Sequence, residues 1–320
     1  MAMISENWAE LLEPGLRKVF HLQLSNIEQL YKRTQIFGVQ SSRMNKETHL
    51  GVGSLGTDHF NFEESGRVQY GEFDKNYKTE FEHHEFAGGV QVRRKLIDDN
   101  LYPGAGIPRD VTGRVEKLAL ALGQKREKSA ANVFIDAFNA ETADAFDDEG
   151  FNRVGADDVA LCSTAHPLSP SNTGTTQENE GTNALAVSGV RTTIQNMRAF
   201  TDDKEEIVVV NPNTLLVPPE LEWTALEIIN STLDPESGEN AINPLKGRLN
   251  VVIWDFLTDS NAWFMLDSAR AKSSLVWYDR IAPEFGAVKD FDTEIGKFKV
   301  YTRWSRYWDD WRWLYGNDPS

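Results

Sequence analysis

The sequence contains a single cysteine, Cys162, among its 320 residues. One thiol cannot form an internal disulfide, which excludes a disulfide-stabilised secreted fold and fits a reducing compartment. No apolar run approaches the ~20 residues that a membrane-spanning helix needs. The N-terminus carries glutamates but neither a basic region nor an apolar core, so no secretory signal is predicted. We therefore expect a protein of cytoplasmic origin without a membrane partner.

Positive charge is scarce as well. The 49 aspartates and glutamates outnumber the 33 lysines and arginines, and the formal net charge is −16. An extended nucleic-acid-binding surface normally carries a basic footprint, so this balance argues against one. Solubility alone explains an acidic surface, and such a surface also suits a wall that faces nucleic acid without binding it.

The signatures of common enzymes are missing. The chain has no GxxxxGK[ST] loop, no GxGxxG after a strand and no HExxH. Cys162 and His166 lie four residues apart, a spacing that a nucleophile and its base can have, but no oxyanion loop or third orienting group accompanies them. A hydrolase that uses this pair is therefore kept only as an alternative, and no catalytic residue is assigned.

Two groups of metal-ligand residue types also have simpler interpretations. His83 and His84 are adjacent, and neighbouring residues of a strand point to opposite faces, so the two rings cannot easily chelate one ion. The acidic run 202–206 is interpreted as a charged helix end instead of a cation site. The sequence thus predicts no metal site and no cofactor.

The longest feature that the chain does have is a segment with helical spacing at 108–149. Apolar residues recur every three or four positions and predict a helix over 110–138, roughly 40 Å long at ~1.5 Å per residue. Two glycines inside it weaken the helix, so tertiary packing must hold it. The predicted apolar stripe consists of Val111, Val115, Leu118, Ala119, Leu122, Ala130, Val133, Phe134, Ala137 and Phe138, and the predicted polar side of Arg114, Lys117, Lys125, Glu127 and Lys128.

Two segments before this helix lack enough apolar residues for a core of their own. The N-terminal segment predicts a short amphipathic helix that ends before Pro14, followed by an arm. Residues 67–73 and 77–83 alternate with period two and predict a long hairpin, with a turn at 74–76. An isolated hairpin is marginal in water, so both segments are expected to lie on another surface.

The remainder predicts a mixed α/β module with closing strands. Helices are expected at 187–200 and from Pro218 onward, and a mobile polar loop at 169–182. Strands are expected at 207–210, 215–217, 249–256, 262–266, 274–278, 298–304 and 311–315. The aromatic end of the chain is predicted to pack on the long helix or on a neighbour, and not to bind a base or sugar; it comprises Trp304, Trp308, Trp311 and Trp313.

The order of these parts resembles a tailed-bacteriophage major capsid protein of the Hong Kong 97 type. More specifically, the chain resembles the Mu-like major head subunit family. Four segments carry this resemblance: residues 81–94, Ile97-Asp98-Asp99 ahead of the long helix, residues 161–167, and the helix that opens at 218–221 with Trp223 inside it. The resemblance implies an α+β fold with an N-arm, an E-loop hairpin, a P-domain with a spine helix, and an A-domain. The implied division is 1–50 arm, 51–92 E-loop, 93–186 P-domain, 187–290 A-domain and 291–320 closing strands of the P-domain.

The same resemblance implies a structural protein that assembles with itself. We expect hexamers and pentamers of an icosahedral virion shell around double-stranded DNA, assembled in the bacterial cytoplasm with a separate scaffold, a portal and possible decoration proteins. An encapsulin-like nanocompartment shell is the alternative with the same fold. Neighbouring subunits are expected to meet the arm and the hairpin, at Trp8, Leu12, Val68, Tyr70, Phe73, Tyr77 and Phe81.

Overall fold

A computed structural model shows, in the described part of the chain, a four-stranded and a five-stranded β-sheet, two two-stranded sheets, and one long helix that packs on both larger sheets. It describes residues 8–57, 66–68, 70–99, 109–139, 146–235 and 241–319. Of the predicted features, residues 1–7 of the arm, the linker at 102–106 and positions 140–145 of the long segment lie outside this range. No helix of the described residues is both long and apolar enough to cross a membrane.

The helices and strands alternate along the chain in an α+β order. The helices are α1 (Trp8–Glu28), α2 (Arg33–Ile36), α3 (Arg94–Asp99), α4 (Arg109–Ile135), α5 (Val187–Arg198), α6 (Glu222–Asn230, after a 3₁₀ turn at Pro219–Leu221) and α7 (Ser268–Ser274). The strands are β1 (Gly38–Ser41), β2 (Lys46–Val52), β3 (Lys75–Glu82), β4 (His84–Arg93), β5 (His166–Ser169), β6 (Asn172–Gln177), β7 (Glu180–Gly181), β8 (Thr214–Val217), β9 (Asn250–Ile253), β10 (Trp263–Leu266), β11 (Leu275–Lys289), β12 (Ile295–Trp308) and β13 (Leu314–Asn317).

The first sheet has the strand order β1-β11-β12-β4, and the second has the order β7-β13-β10-β8-β9. Strands β11 and β12 form a long antiparallel pair that runs from Leu275↔Trp308 to Lys289↔Gly296. Strands β8, β10 and β13 of the second sheet are buried at every position, because α4 and shorter helices cover both faces of this sheet. The predicted strand at 207–210 is wrong: Ile207 and Val209 are 73% and 83% exposed, and only a single bridge to Thr201 forms there.

The predicted long helix is confirmed as α4, which we call the spine helix. Its apolar stripe is buried, but the predicted polar side is wrong at Glu127, which is completely buried. Gly123 is explained by the approach of α1: an added Cβ there would lie 3.1 Å from Ile27 Cγ2 and 3.2 Å from a ring carbon of Tyr31. The glycine therefore weakens the helix locally but lets a second helix pack closely against it.

The spine helix packs on both larger sheets. Near its C-terminal end the Phe134 ring meets the rings of Trp254, Phe264 and Trp313, with centroids 5.3–6.3 Å apart. Trp304 of the first sheet contacts the spine one turn earlier, where its indole N–H donates to Ser129 Oγ at 3.4 Å. We expected the whole stripe to face the closing strands around Val300 and Trp304; instead, Phe134 belongs to the second sheet.

Helix α1 covers the N-terminal half of the spine helix and strand β11. It runs through Pro14 to Glu28, so the predicted end before Pro14 is wrong. Proline removes one helical hydrogen bond, and burial of the other face offsets that loss. Leu16 and Phe20 are completely buried, and Leu24 nearly so. Residues 8–28 are thus part of the subunit's own core and not a free arm.

A buried ionic cluster fastens α1 and α2 to the spine helix. The guanidinium of Arg126 pairs with Glu28 at the end of α1 and, at 2.5 Å, with Asp279 of β11. Glu127 Oε1 accepts hydrogen bonds from the backbone N–H groups of Lys32 and Arg33, at 2.6 and 3.1 Å. Burial raises the pKa of the Glu127 carboxyl, while these two amides act in the opposite direction. The cluster sets the register of the N-terminal helices on the spine.

The hairpin exists, but one of its strands is not the predicted one. Strand β3 pairs antiparallel with β2, from Lys46↔Glu82 to Val52↔Lys75. The described residues of 67–73 are not in a strand, and positions 75 and 76 of the predicted turn already belong to β3. The observed partner strand has apolar side chains only at Leu50 and Val52, so the alternation in the sequence favoured 67–73 instead. The register of the observed pair also places Lys46 beside Glu80, with which it forms an ion pair.

Candidate subunit interface

The hairpin formed by β2 and β3 is anchored at its base by an aromatic stack. The Phe81 ring lies parallel to that of Tyr307, with centroids 4.0 Å apart, and His49 and Tyr278 complete the cluster. The Tyr307 hydroxyl lies 3.0 Å from His49 Nε2. Burial raises the pKa of the Tyr307 hydroxyl, so it stays protonated and keeps this contact at any physiological pH.

His83 closes the base of the hairpin and is not a metal ligand in this arrangement. Its Nδ1 lies 2.8 Å from Ser305 Oγ and its Nε2 lies 3.2 Å from Ser42 Oγ, so both ring nitrogens have protein partners. The next ring, that of His84, faces Phe151 instead. Among the described residues no group of three metal-ligating side chains comes together. Burial lowers the pKa of His83, which favours the neutral ring.

The predicted interface residues fall into three groups by exposure. Tyr70, Phe73 and Val68 are exposed, at 91%, 60% and 62% of their surface. Leu12 and Tyr77 are partly buried. Trp8 lies over Gly296, and Phe81 is part of the aromatic stack at the base of the hairpin. The side chains of Trp8 and Phe81 are both more than nine-tenths buried inside the subunit. These two side chains would offer a neighbour little surface, and the contact with a neighbour stays a prediction for all seven residues.

The acidic run 202–206 is a tight turn that binds the hairpin, and the predicted helix end is wrong. Asp202 Oδ1 accepts from the backbone N–H groups of Lys204 and Glu206, both at 2.9 Å, which shapes the turn. Asp203 Oδ1 then accepts from the N–H of Ser54 at 2.8 Å, and Glu206 Oε1 from that of Thr57 at 2.6 Å. The carboxylates that could have suggested a cation site are thus partners of backbone amides.

Cys162 and His166 do not form a nucleophile–base pair. His166 Nδ1 lies 2.7 Å from Asp157 Oδ2, and its Nε2 lies 3.1 Å from Asn179 Oδ1. Its ring also stacks on Trp311, with centroids 4.4 Å apart. Burial raises the pKa of the Cys162 thiol well above its usual range, so the thiolate needed for attack is not formed. Both residues have structural roles beneath β13.

The tryptophans near the C-terminus pack inside the subunit, as expected. Trp304 is fully buried between Phe86 and Trp277, whose ring centroids lie 3.6 and 5.7 Å away. Trp311 and Trp313 are also buried, beside His166 and Phe134. None of these indole faces is open to a stacked base or sugar. Large exposed apolar side chains lie elsewhere, among them Tyr70 and Phe73 after β2, Trp223 of α6 and Phe291 between β11 and β12.

A family model described as "Phage capsid protein" matches residues 78–317 of the chain. This span begins within β3 and reaches the last strand, so it includes both sheets and the spine helix. The chain belongs to the phage capsid protein family. Its role is therefore that of a structural capsid protein, and the site of interest is a surface between subunits.

Solved capsid structures share the fold of this capsid protein. The capsid of bacteriophage JBD30 has a TM-score of 0.51 at 14% identity, over 71% of this chain and 91% of that one. The capsid of an empty GTA particle has a TM-score of 0.53 at 12% identity, over 90% and 89%. A virus-like particle from Pyrococcus furiosus has a TM-score of 0.54 at 9% identity, over 98% and 100%. No curated protein matches significantly. The expected α+β, Hong Kong 97-type fold is confirmed.

The capsid protein also carries exposed apolar residues on the outer side of α1. Leu11 and Leu22 are 60% and 61% exposed, while Leu16 and Phe20 are completely buried, and Phe20 packs against Phe285 of β11. The outer side of α1 would be buried only if a surface of another molecule covered it. The sequence analysis did not distinguish the two sides of α1, because the helix was predicted to end before Pro14.

Proposed function

We propose that this capsid protein is the major head subunit of a tailed phage or prophage, of the Mu-like type. Copies of the chain assemble in the bacterial cytoplasm into hexamers and pentamers of an icosahedral shell that encloses double-stranded DNA. The observation that carries the proposal is the family match over both sheets and the spine helix. A separate scaffold, a portal and decoration proteins are the further partners that such a shell needs.

The surface of the hairpin supports self-assembly. Three large side chains, Val68, Tyr70 and Phe73, are exposed within one short stretch of the chain. An apolar group of this size on a monomer commonly marks a protein–protein contact. We call the described residues 66–68 and 70–73 the tip of the hairpin. The tip would be covered when it lies on the next subunit, and the free energy of that contact would then depend on assembly.

The acidic balance supports an enclosing wall without specific DNA binding. With a net charge of −16, the subunit would repel packaged DNA at long range. The unassembled subunit should therefore fail to retard double-stranded DNA in a gel at low salt, where electrostatic binding is strongest. The encapsulin-like alternative rests on the shared fold, and the family match favours a phage capsid over it.

The decisive experiment is electron microscopy of the expressed protein, with and without the tip side chains. Wild type should form shells, tubes or capsomers. Replacing Val68, Tyr70 and Phe73 by serine should leave the melting temperature of the unassembled subunit unchanged and should abolish closed shells. Glu72→Ser, in the same exposed segment, is the control and should assemble normally. Normal shells from the triple variant would contradict the assigned interface, and small particles from wild type would contradict the capsid function.

A further inference from the structure

The hairpin is attached to the rest of the subunit at two places with open space between them. The first is the aromatic stack around Phe81 at its base. The second is the contact of its far end with the acidic turn 202–206. Between them lie a groove of about 600 Å³ beside β3 and the loop 146–158, and a second of about 280 Å³ near Tyr77 and Arg312. The middle of the hairpin therefore packs poorly on the body.

The acidic turn holds both chain segments that lead into the tip. On the first segment, Asp203 accepts from Ser54, and Glu206 accepts from the backbone and the hydroxyl of Thr57, both at 2.6 Å. On the returning segment, Lys204 Nζ pairs with Asp74 Oδ2 at 2.5 Å. The two segments also bind each other, since Gly53 N–H donates to the carbonyl of Asp74 at 2.8 Å. Three residues of one turn, Asp203, Lys204 and Glu206, thus hold the stem of the tip.

The two attachments differ in their physical character. The base stack is apolar and largely buried, with Phe81 8% and Tyr307 5% exposed. The turn contacts are polar and mostly exposed: the ion-paired side chains of Lys204 and Asp74 are 39% and 54% exposed, and the hydrogen bonds from Thr57 to Glu206 are exposed too. Exposed ion pairs contribute little and are weakened by salt, whereas a buried aromatic stack is not. The turn is therefore the attachment that can open, and the base is the pivot.

We propose that the turn 202–206 is a reversible clasp for the hairpin. It holds the stem on the second-sheet side of the unassembled subunit, and it opens when the tip binds a second copy of the chain. This inference rests on the proposed contact between the tip and a neighbour. The two states differ in their contacts. In the closed state the turn holds the stem, and only in the open state does the tip contact a neighbour, so binding of a neighbour favours the open state.

The first test follows the clasp in the unassembled subunit. Lys204→Glu should break the pair with Asp74 and raise the hydrogen-exchange rate of the 54–57 amides roughly tenfold. Adding Asp74→Lys restores the opposite charges in reverse and should return the rate to that of wild type. Glu220→Lys, an exposed charge change outside the turn, is the control. An unchanged exchange rate in Lys204→Glu would overturn the clasp.

The second test locks the clasp. An added Cβ at Gly53 would lie 2.5 Å from Asp203 Oδ2, so cysteines at these two positions come within reach of each other. The Gly53→Cys, Asp203→Cys protein should form an intramolecular disulfide, fail to close shells while oxidised, and assemble after reduction. Shells of normal yield from the oxidised protein, or no disulfide at all, would overturn the proposal. If neither wild type nor the reduced variant assembles, the capsid function fails, whatever the exchange rates show.

Discussion

Phe81 of β3 and Tyr307 of β12 stack face to face, with ring centroids 4.0 Å apart and an interplanar angle of 15°. The two residues are 226 positions apart in the chain, and the stack is where the hairpin joins the first sheet. Together with Val276 and Tyr278 they form a small apolar cluster separate from the main core. The orientation of the hairpin thus depends on a local contact that can be weakened without unfolding the subunit.

Phe81→Ala should therefore loosen the hairpin selectively. Removing a buried phenylalanine costs about 3–5 kcal/mol, and here the loss should appear in the local opening of β2 and β3. Hydrogen exchange of those strands should accelerate while that of the spine helix changes little. Tyr70→Ala, at a ring that is 91% exposed, is the control and should alter stability by less than ~0.5 kcal/mol. Equal acceleration throughout the subunit would show that the base stack is not a separate unit.

Phe134→Ala should destabilise the whole subunit. The ring is 1% exposed and contacts Trp254, Phe264 and Trp313, so its loss leaves a cavity where the spine helix meets the second sheet. The free energy of unfolding should fall by about 3–5 kcal/mol in denaturant titrations of the unassembled protein. Leu120→Ala, on the outer side of the same helix at 39% exposure, should cost less than about 1 kcal/mol. If Phe134→Ala and Leu120→Ala unfolded at indistinguishable denaturant concentrations, the position assigned to the spine helix would be wrong.

The buried carboxyl of Glu127 should make stability depend on pH. Burial raises its pKa in the folded state above the ordinary value of 4.5, so the folded protein keeps this proton at a pH where the unfolded chain has lost it. Stability from this group is therefore complete below pH 4.5 and declines as the pH rises through the folded pKa. Glu127→Gln keeps the acceptor for the amides of Lys32 and Arg33 but cannot ionise.

The measurement is the difference in unfolding free energy between Glu127→Gln and wild type across pH 4 to 8. That difference should shift in favour of the variant as the pH rises, because wild type alone must ionise a buried group. Lys128→Ala, at the next and exposed position of the helix, should show no such trend. A pH-independent difference for Glu127→Gln would mean that the pKa of this carboxyl is the same in the folded and the unfolded protein.

Local patterns in the sequence were sufficient for the spine helix and for most strands of the second sheet. The stripe from Val111 to Ala137 has helical spacing and is buried as predicted. The runs at 215–217 and 262–266 are continuous and apolar, and both are buried strands. The burial of Trp304 and Trp313 was also predictable, since large aromatic residues near charged ones tend to bury their rings. The α+β class and the resemblance to phage capsids followed from the order of these parts.

What the sequence alone determined is therefore the set of elements with a strong period and the absence of catalytic and metal-binding motifs. Tertiary structure decided which segment pairs with β3. Residues 46–52 have apolar side chains only at Leu50 and Val52, and it is the packing of His49 on Phe81 and Tyr307 and the ion pair of Lys46 with Glu80 that select this segment. It also decided that Glu127 is buried and that Pro14 lies inside a helix, since both depend on α1 packing on the spine. Likewise, Asp203 and Glu206 bind amides of Ser54 and Thr57, about 150 residues away along the chain. Contacts over such separations leave no periodic signal, because the partners meet only after the helix and both sheets have formed.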